Sequence, residues 1–317
     1  MTQPTLVYLD QNRWIELTRA YFKLPRGEKY STTLSVLSDA VKNGKVILPL
    51  SSIHILELNK TADIDHRKRI ATVMTELSNG RTLAPASYLL PNQLEKAIAK
   101  TFNYPLPSQL SALGHGVLFA FGITNELHEY LGVTNERAEV VRRILNTPEG
   151  FFAMLAGIDE NLVQASLSFG KRYSDEVTQN IERFRQLGKA YSKTMRKRAY
   201  AVNVTLALQS KISRALAVYS ITSKEFLDPD KNNPTLFFQS VPCLDVEVEL
   251  ATERNEFWNK PLEPNDMADI GFLQIAIPYC DIVVTEKLWV DLARRKNLDK
   301  KYNTEMANSL ADLMNRL

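Results

Sequence analysis

Short apolar runs alternate with amphipathic segments at both ends of the 317-residue chain. Residues 5–9, 46–50 and 282–285 are apolar runs of strand length, rich in β-branched side chains. Apolar positions with helical spacing predict helices at 32–43, 53–58, 70–77, 266–277 and 287–295. Such alternation predicts an α/β fold with a parallel sheet flanked by helices.

The middle of the chain has a different pattern. From about Pro91 to Phe226 the periodicity is almost entirely helical, and residues 228–234 form a loop rich in Pro, Asp and Asn. We therefore predict a discontinuous α/β domain made of residues 1–90 and 236–317. A mostly helical insertion at 91–235 is predicted to be a separate subdomain that binds RNA.

Composition narrows the class of protein. Hydrophobic residues make up 44% and charged residues 24%, values that allow a globular core without disulfides. The two cysteines, Cys243 and Cys280, belong to no Cys/His motif, which argues against a zinc finger or a disulfide scaffold. No run of about 18 apolar residues and no basic leader occur. We expect a cytoplasmic protein without membrane association.

Charge is unevenly distributed along the chain. Residues 171–214 contain 11 Lys/Arg and 3 Asp/Glu, whereas residues 241–286 contain 10 Asp/Glu and 2 Lys/Arg. A basic segment with an acidic one is consistent with a polyanion-binding surface and a cation-binding centre. Two solvated faces of opposite charge are the structural alternative.

Acidic residues follow the predicted strands, at the edge where open parallel sheets bind ligands. Asp10 ends the first strand, Glu57 lies on the helix after the second, and Glu286 follows the last. Asp266 and Asp269 share one face of the preceding helix. Because converging carboxylates repel one another, a hard cation is expected among them, and oxygen-only ligands favour Mg²⁺ or Mn²⁺ over zinc.

Each acid also has a structural explanation. Asp10 is suited to capping the helix that follows it. Asp266 and Asp269 are suited to the first turn of their helix, where negative charge is favourable. Glu57 has the pattern of a surface residue on an amphipathic helix.

Four segments resemble PIN-domain nucleases. Residues 7–12 resemble the family's first strand with its Asp, and residues 48–58 resemble the later helix with its Glu. Residues 266–276 resemble the helix that carries the third acid, and residues 281–287 resemble the strand that carries the fourth. The resemblance covers roughly residues 4–80 and 260–317. It implies a PIN-like fold in which Asp10, Glu57, Asp269 and Glu286 ligate metal, with Asp266 as the second choice for the third acid.

One position departs from the family pattern. The family's fourth acid commonly lies two residues beyond the threonine, and Lys287 holds that place here. Either Glu286 or Asp281 is then the last acid, or the site is degraded. Asn12 and Thr285 are the residues expected to orient phosphate or a carboxylate.

The resemblance also implies a function. Such enzymes hydrolyse single-stranded or structured RNA, tRNA among the candidates, and act as toxins, stress effectors or antiviral defence components. An inhibitory protein partner and a homo-oligomer are both compatible with this. A DNA nuclease with the same site, and a catalytically silent module that binds RNA or protein, are the alternatives.

Residues 189–200 combine cations with two tyrosines and are predicted to bind RNA through phosphates and bases. Acidic partners are scarce in this part of the sequence, which argues against an ordinary solvated helix. The proposed substrate-binding residues are Lys189, Lys193, Arg196, Lys197, Arg198 and, near the acids, Arg13.

Overall fold

A computed structural model describes residues 3–123, 127–157, 179, 181–183, 185–228, 230 and 234–317. By its internal contacts the chain divides into two compact units. The first unit comprises Met1–Pro85, Ala112–Arg172 and Tyr279–Leu317, and the second comprises Ala86–Ser111 and Tyr173–Pro278.

A four-stranded parallel sheet lies at the centre of the first unit. Its strands are β1 (Thr5–Leu9), β2 (Val46–Ile47), β5 (Ile282–Val284) and β6 (Glu305–Ala307). They are arranged in the order β2-β1-β5-β6, and every pair is parallel. The predicted α/β class, with a parallel sheet flanked by helices, is confirmed.

A short antiparallel pair adjoins this sheet. It consists of β3 (Arg81–Leu83) and β4 (Leu113–His115). Thr82 makes a parallel bridge to Leu50, just beyond β2, so the pair continues the sheet on that side. The sequence pattern did not predict β4, which lies inside the predicted helical insertion.

Helices surround the sheet of the first unit. The described ones are α1 (Gln11–Tyr21), α2 (Ser31–Lys42), α3 (Ser52–Asn59), α4 (Ile64–Ser78), α6 (Gly116–Ala120), α7 (Leu127–Leu131), α8 (Asn135–Leu145), α9 (Pro148–Ala156), α16 (Lys287–Arg295), α17 (Leu298–Tyr302) and α18 (Leu310–Met314). Short 3₁₀ turns occur at Glu28–Tyr30 here and at Gly188–Ala190 in the second unit. Gly44, at φ +65°, ends α2 in the left-handed region that glycine adopts readily.

The second unit is helical over its described residues. Its helices are α5 (Ala86–Thr101), α10 (Lys193–Ala207), α11 (Gln209–Val218), α12 (Ser223–Phe226), α13 (Pro234–Gln239), α14 (Pro242–Asn255) and α15 (Pro264–Tyr279). Leu94, Ile98, Ile212, Leu216 and Phe237 belong to its buried apolar cluster.

The boundaries of the two units differ from the predicted division at residues 91 and 235. Val117, Phe151 and Leu155, from the predicted insertion, are buried in the same apolar cluster as strand residues Val7 and Val284. Residues 236–278, assigned to the α/β domain from sequence, belong to the second unit. Apolar packing, rather than the change from alternating to helical periodicity, defines the units.

Candidate active site

The carboxyl ends of β1 and β5 lie side by side. Leu9 pairs with Val284 in the parallel register, and the Asp10 amide donates to the Val284 carbonyl at 3.0 Å. The residues that follow the two strands, Asp10 on one and Glu286 on the other, therefore leave the sheet at the same edge. This is the edge at which open α/β sheets bind ligands.

Asp10 is a buried carboxylate at the start of α1. Its side chain caps the helix by accepting a hydrogen bond from the Arg13 amide at 3.2 Å, which is the structural role given above as the alternative to metal binding. Its Oδ1 also lies 3.7 Å from Arg13 Nε. Burial, with a smaller contribution from the negative charge of Glu286, raises the pKa of Asp10 to about 6, although Arg13 lowers it. Helix capping therefore does not explain the raised pKa of Asp10, because the capping hydrogen bond lowers the pKa of a carboxyl.

Glu57 lies on α3 and is half-buried. Burial raises its pKa, the Lys60 ammonium opposes that change, and the charges of Asp10 and Glu286 add to it. The pKa values of Asp10 and Glu57 are thus both raised in part by neighbouring carboxylates. Asp10, Glu57 and Glu286, which we call the carboxylate cluster, interact although they are far apart in the sequence.

Glu286 is the exposed member of the carboxylate cluster, at the start of α16. Its carboxylate accepts a hydrogen bond from Asn12 Nδ2 at 3.3 Å. Thr285 is fully buried, and its amide donates to the Ala307 carbonyl at 3.0 Å. The Thr285 hydroxyl makes no hydrogen bond to any described residue. Asn12 therefore contacts a member of the cluster, whereas the contact made by Thr285 holds the strand ends together.

His54 connects the strand that ends at Asp10 with α3. Its Nδ1 accepts from the Ser51 amide at 3.0 Å, and its Nε2 lies 2.8 Å from the Leu9 carbonyl. The ring stacks on Tyr8 at 5.0 Å between centroids and meets the edge of Trp14 at 6.3 Å. Burial lowers the pKa of His54 to about 4, so the ring is neutral at pH 7.

The sequence places His54 near Glu57 on one face of the predicted helix, a position that fits either contact with the site or, as the favoured interpretation, a packing or capping role. The capping was foreseeable, because Ser51 and His54 have the N-cap and N3 spacing of a capping box, with His54 in the place usually held by Glu or Gln. The bond to Leu9 has no sequence signal, since it joins segments 45 residues apart.

Asp281 lies at the opposite edge of the sheet. It precedes β5, and its Oδ2 accepts from the Leu6 amide at 2.7 Å. Four residues separate it from Thr285 along an extended chain, a distance of roughly 13 Å. This corrects the expectation that Asp281 is an alternative last acid, because its carboxylate binds the backbone at the amino end of the strands.

Asp266 and Asp269 belong to α15 in the second unit. Asp266 is buried in a two-pronged ion pair with Arg254, at 3.1 and 2.7 Å, and also accepts from the Glu263 amide at 2.8 Å. This ion pair explains Asp266 without a metal. Asp269 is half-buried, and its role as the third acid stays a prediction.

The cations of α10 contact acids of α14 within the second unit. The pairs are Lys193 with Glu253 at 2.5 Å, Arg196 with Glu256 at 2.5 Å, and Lys197 with Glu249. The expectation that acidic partners are scarce is therefore wrong. The partners were not evident in the sequence because they are 52 to 60 residues away.

Two other predicted RNA-binding cations differ from these three. Arg198 is exposed, and no carboxylate among the described residues lies within ion-pair distance of it. Lys189 is exposed, with its Nζ 5.9 Å from the centre of the Trp258 ring. Their charges are the less compensated ones of the set.

The chemistry of the carboxylate cluster suits a hard divalent cation, since its ligand atoms are all oxygens. In the part of the chain that the structure describes, no three His, Cys, Asp or Glu side chains are close enough to hold an ion as they stand. Glu286 is exposed, so it can change rotamer at little cost. The donor set fits Mg²⁺ or Mn²⁺, provided that the side chains rearrange.

Comparisons with known proteins give no match to any protein-family model, curated protein or solved structure. None of the described helices is long and apolar enough to cross a membrane.

Proposed function

We propose that this chain is a PIN-like, divalent-metal-dependent nuclease that hydrolyses RNA at Asp10, Glu57 and Glu286. The observation that carries the proposal is that Asp10 and Glu286 follow adjacent parallel strands at the same edge of the sheet, where burial and neighbouring carboxylates raise the pKa of Asp10 and of Glu57. Acids perturbed in this way at a ligand-binding edge are candidates for a functional site.

A cation explains why such a costly arrangement is retained. Burial and mutual repulsion both disfavour the ionised forms of Asp10 and Glu57, and Arg13 offsets this only in part. When bound, Mg²⁺ or Mn²⁺ supplies charge neutralisation for the carboxylates and the phosphodiester, and it makes an attacking water more acidic.

Each residue of the site has a proposed part. Asp10, Glu57 and Glu286 hold the ion, and Asn12 orients Glu286 through their hydrogen bond. Arg13, whose Nε lies beside Asp10, binds the substrate phosphate. Thr285 fixes the backbone between β5 and β6.

The substrate and the cellular role rest on the resemblance. RNA is preferred over DNA because the PIN-like segments resemble ribonucleases. Lys189 and Arg198 offer exposed positive charge for a nucleic acid of either kind. A cytoplasmic toxin or defence effector, with an inhibitory partner, is the accompanying proposal for its role.

A catalytically silent RNA- or protein-binding module is the second candidate. The observation that favours it is that no three ligands gather in the described part of the chain. Lys287, in the family's usual acidic place, favours it less than the sequence suggested. Its ammonium pairs with Asp291 at 2.6 Å, one turn along α16.

Cleavage assays with matched variants test the proposal. Labelled RNA and DNA are incubated with the protein and Mg²⁺, Mn²⁺ or a chelator. We expect metal-dependent RNA cleavage leaving 5′-phosphates, its loss in Asp10→Asn, and its retention in Asp281→Asn, a matched change at the opposite sheet edge. Cleavage of DNA alone contradicts the RNA preference, and equal activity of Asp10→Asn and wild type rejects the site. Binding without cleavage in either metal supports the silent module.

A further inference from the structure

Two of the acids of the carboxylate cluster lie on separate chain segments, whose spacing must be fixed for the acids to stay close together. Asp10 follows β1, whereas Glu57 lies on α3, and these two elements are joined through α1, α2 and β2. Nothing in the covalent chain near either acid fixes their separation. The pairing of β1 with β2 brings the two segments together, and contacts between the end of β1 and α3, one of them made by the buried ring of His54, add to it.

We propose that His54 is a positioning residue that holds Glu57 of α3 beside Asp10 through its hydrogen bond to the Leu9 carbonyl. Leu9 is the residue directly before Asp10, and His54 lies one helical turn before Glu57. We call this contact the His54 clamp. Its functional role rests on the proposed nuclease function, whereas its geometry is independent of that function.

Two hydrogen bonds determine the state of the ring. The Ser51 amide is a donor, so Nδ1 must accept, and the proton of the neutral ring lies on Nε2, which donates to the Leu9 carbonyl. Protonating Nδ1 would break the Ser51 bond. The low pKa of His54 agrees with a ring that stays neutral.

The surroundings of the ring prevent it from turning away. His54 is 1% exposed and lies between Tyr8, stacked on it, and Trp14 at its edge. Tyr8 is itself held to α3, because its hydroxyl lies 2.9 Å from Ser51 Oγ. Two consecutive residues of β1, Tyr8 and Leu9, thus contact the amino-terminal end of α3.

Ordinary core packing is the alternative, and two conservative variants separate it from positioning. The amide oxygen of Asn corresponds to Nδ1 of histidine, so His54→Asn keeps the cap with Ser51 and loses the reach to Leu9. The amide nitrogen of Gln corresponds to Nε2, so His54→Gln keeps the donor to Leu9. Leu58→Ala, a cavity at a fully buried position of the same helix, is the control for lost stability.

The first measurement needs neither metal nor substrate. Carboxyl ¹³C NMR titration in chelator gives the pKa of Glu57, with and without Asp10→Asn, in each background whose urea unfolding shows a folded protein. In wild type we expect Asp10→Asn to lower the pKa of Glu57, because a neighbouring negative charge is removed. We expect His54→Gln and Leu58→Ala to keep this shift, and His54→Asn to lose most of it.

The second measurement is Mn²⁺ binding by calorimetry. We expect His54→Asn to weaken the affinity about tenfold or more, the usual effect of removing an outer hydrogen bond that orients a ligand, and His54→Gln to restore most of it. Positioning by His54 is overturned if His54→Asn keeps the shift, if Gln does no better than Asn, or if Leu58→Ala loses as much as Asn. If wild type neither binds Mn²⁺ nor cleaves while the NMR pattern holds, the nuclease proposal fails and the clamp stands.

Discussion

At the scale of single residues, Asp10 connects stability with pH. Its pKa is about 6 in the folded protein and near 3.8 when unfolded, so the folded state binds the proton more tightly. Below about pH 3 the group is largely neutral in both states, and above about pH 6 its charge costs stability, by about 2 to 3 kcal/mol. Asn caps a helix as well as Asp does. We therefore predict that Asp10→Asn is more stable than wild type at pH 8 and nearly equal to it in stability at about pH 3.

Urea unfolding across this pH range, in chelator, measures the effect. The other titrating groups are present in both proteins, and the pKa of Glu57 depends on the charge of Asp10, so the difference reports Asp10 together with its coupling to Glu57. Asp281→Asn, at the other sheet edge, is the control and should show no such gain at pH 8. Parallel pH profiles for Asp10→Asn and wild type would contradict a raised pKa for Asp10.

Residues of the candidate site were predictable where the sequence shows which strand end they follow. Asp10 and Glu286 directly follow apolar runs of strand length, and Asn12 lies two residues beyond Asp10, so their shared edge could be read from the sequence. The misassignments came from partners remote in sequence. Asp266 pairs with Arg254, Asp281 accepts from the Leu6 amide, and neither contact has a local pattern.

At the scale of elements, α10 is paired with α14 by charge. Glu249 and Glu253 of α14 are buried, so the ammonium groups of Lys197 and Lys193 compensate charges that would otherwise be costly. Of the five cations in residues 189–200, Lys189 and Arg198 are the two without an ion pair to an acid of residues 249–256 among the described residues. This distinction follows from tertiary contacts alone, since the sequence places all five cations on one basic stretch.

We predict that removing the two less compensated charges weakens RNA binding more than removing two paired ones. Lys189→Ala with Arg198→Ala should lower the affinity and reduce the slope of log affinity against log salt by about one to two. Lys193→Gln with Lys197→Gln is the matched control, expected to lower stability and to change the salt slope less. Filter binding of a labelled oligoribonucleotide at several salt concentrations gives both slopes, and equal slopes would refute the assignment.

Strands were predicted best where they are continuously apolar. β1 and β5 are such runs, and both were predicted. β4 is Leu-Gly-His and β6 is Glu-Met-Ala, and neither has a strand-like composition. Such strands exist because a neighbouring edge offers backbone partners, which is a property of the assembled sheet.

At the scale of the whole molecule, the three acids of the carboxylate cluster belong to one compact unit, although they are separated by more than 270 residues. The sequence indicated that the two chain ends share a domain, and the first unit does contain β1 and β5. It did not indicate that residues 112–157 complete that unit. Their apolar residues have ordinary helical spacing, which does not specify the core that they join.

A cation bound by the carboxylate cluster should stabilise the first unit. A ligand that binds only the folded state adds about 2.7 kcal/mol at a hundredfold excess over its Kd. We predict that Mn²⁺ raises the free energy of unfolding in wild type and Asp281→Asn but not in Asp10→Asn, and that chelator reverses the effect. Protons compete with the ion, so the gain should fall as pH drops through about 6, the pKa of Asp10.

Hydrogen exchange shows where this stabilisation acts. Slower exchange of amides in β1, α3 and the end of β5 is expected with Mn²⁺, because Asp10, Glu57 and Glu286 lie at these elements. Equal stabilisation of wild type and Asp10→Asn would instead mean that the ion binds elsewhere. That result would reject the proposal that the carboxylate cluster is a metal site.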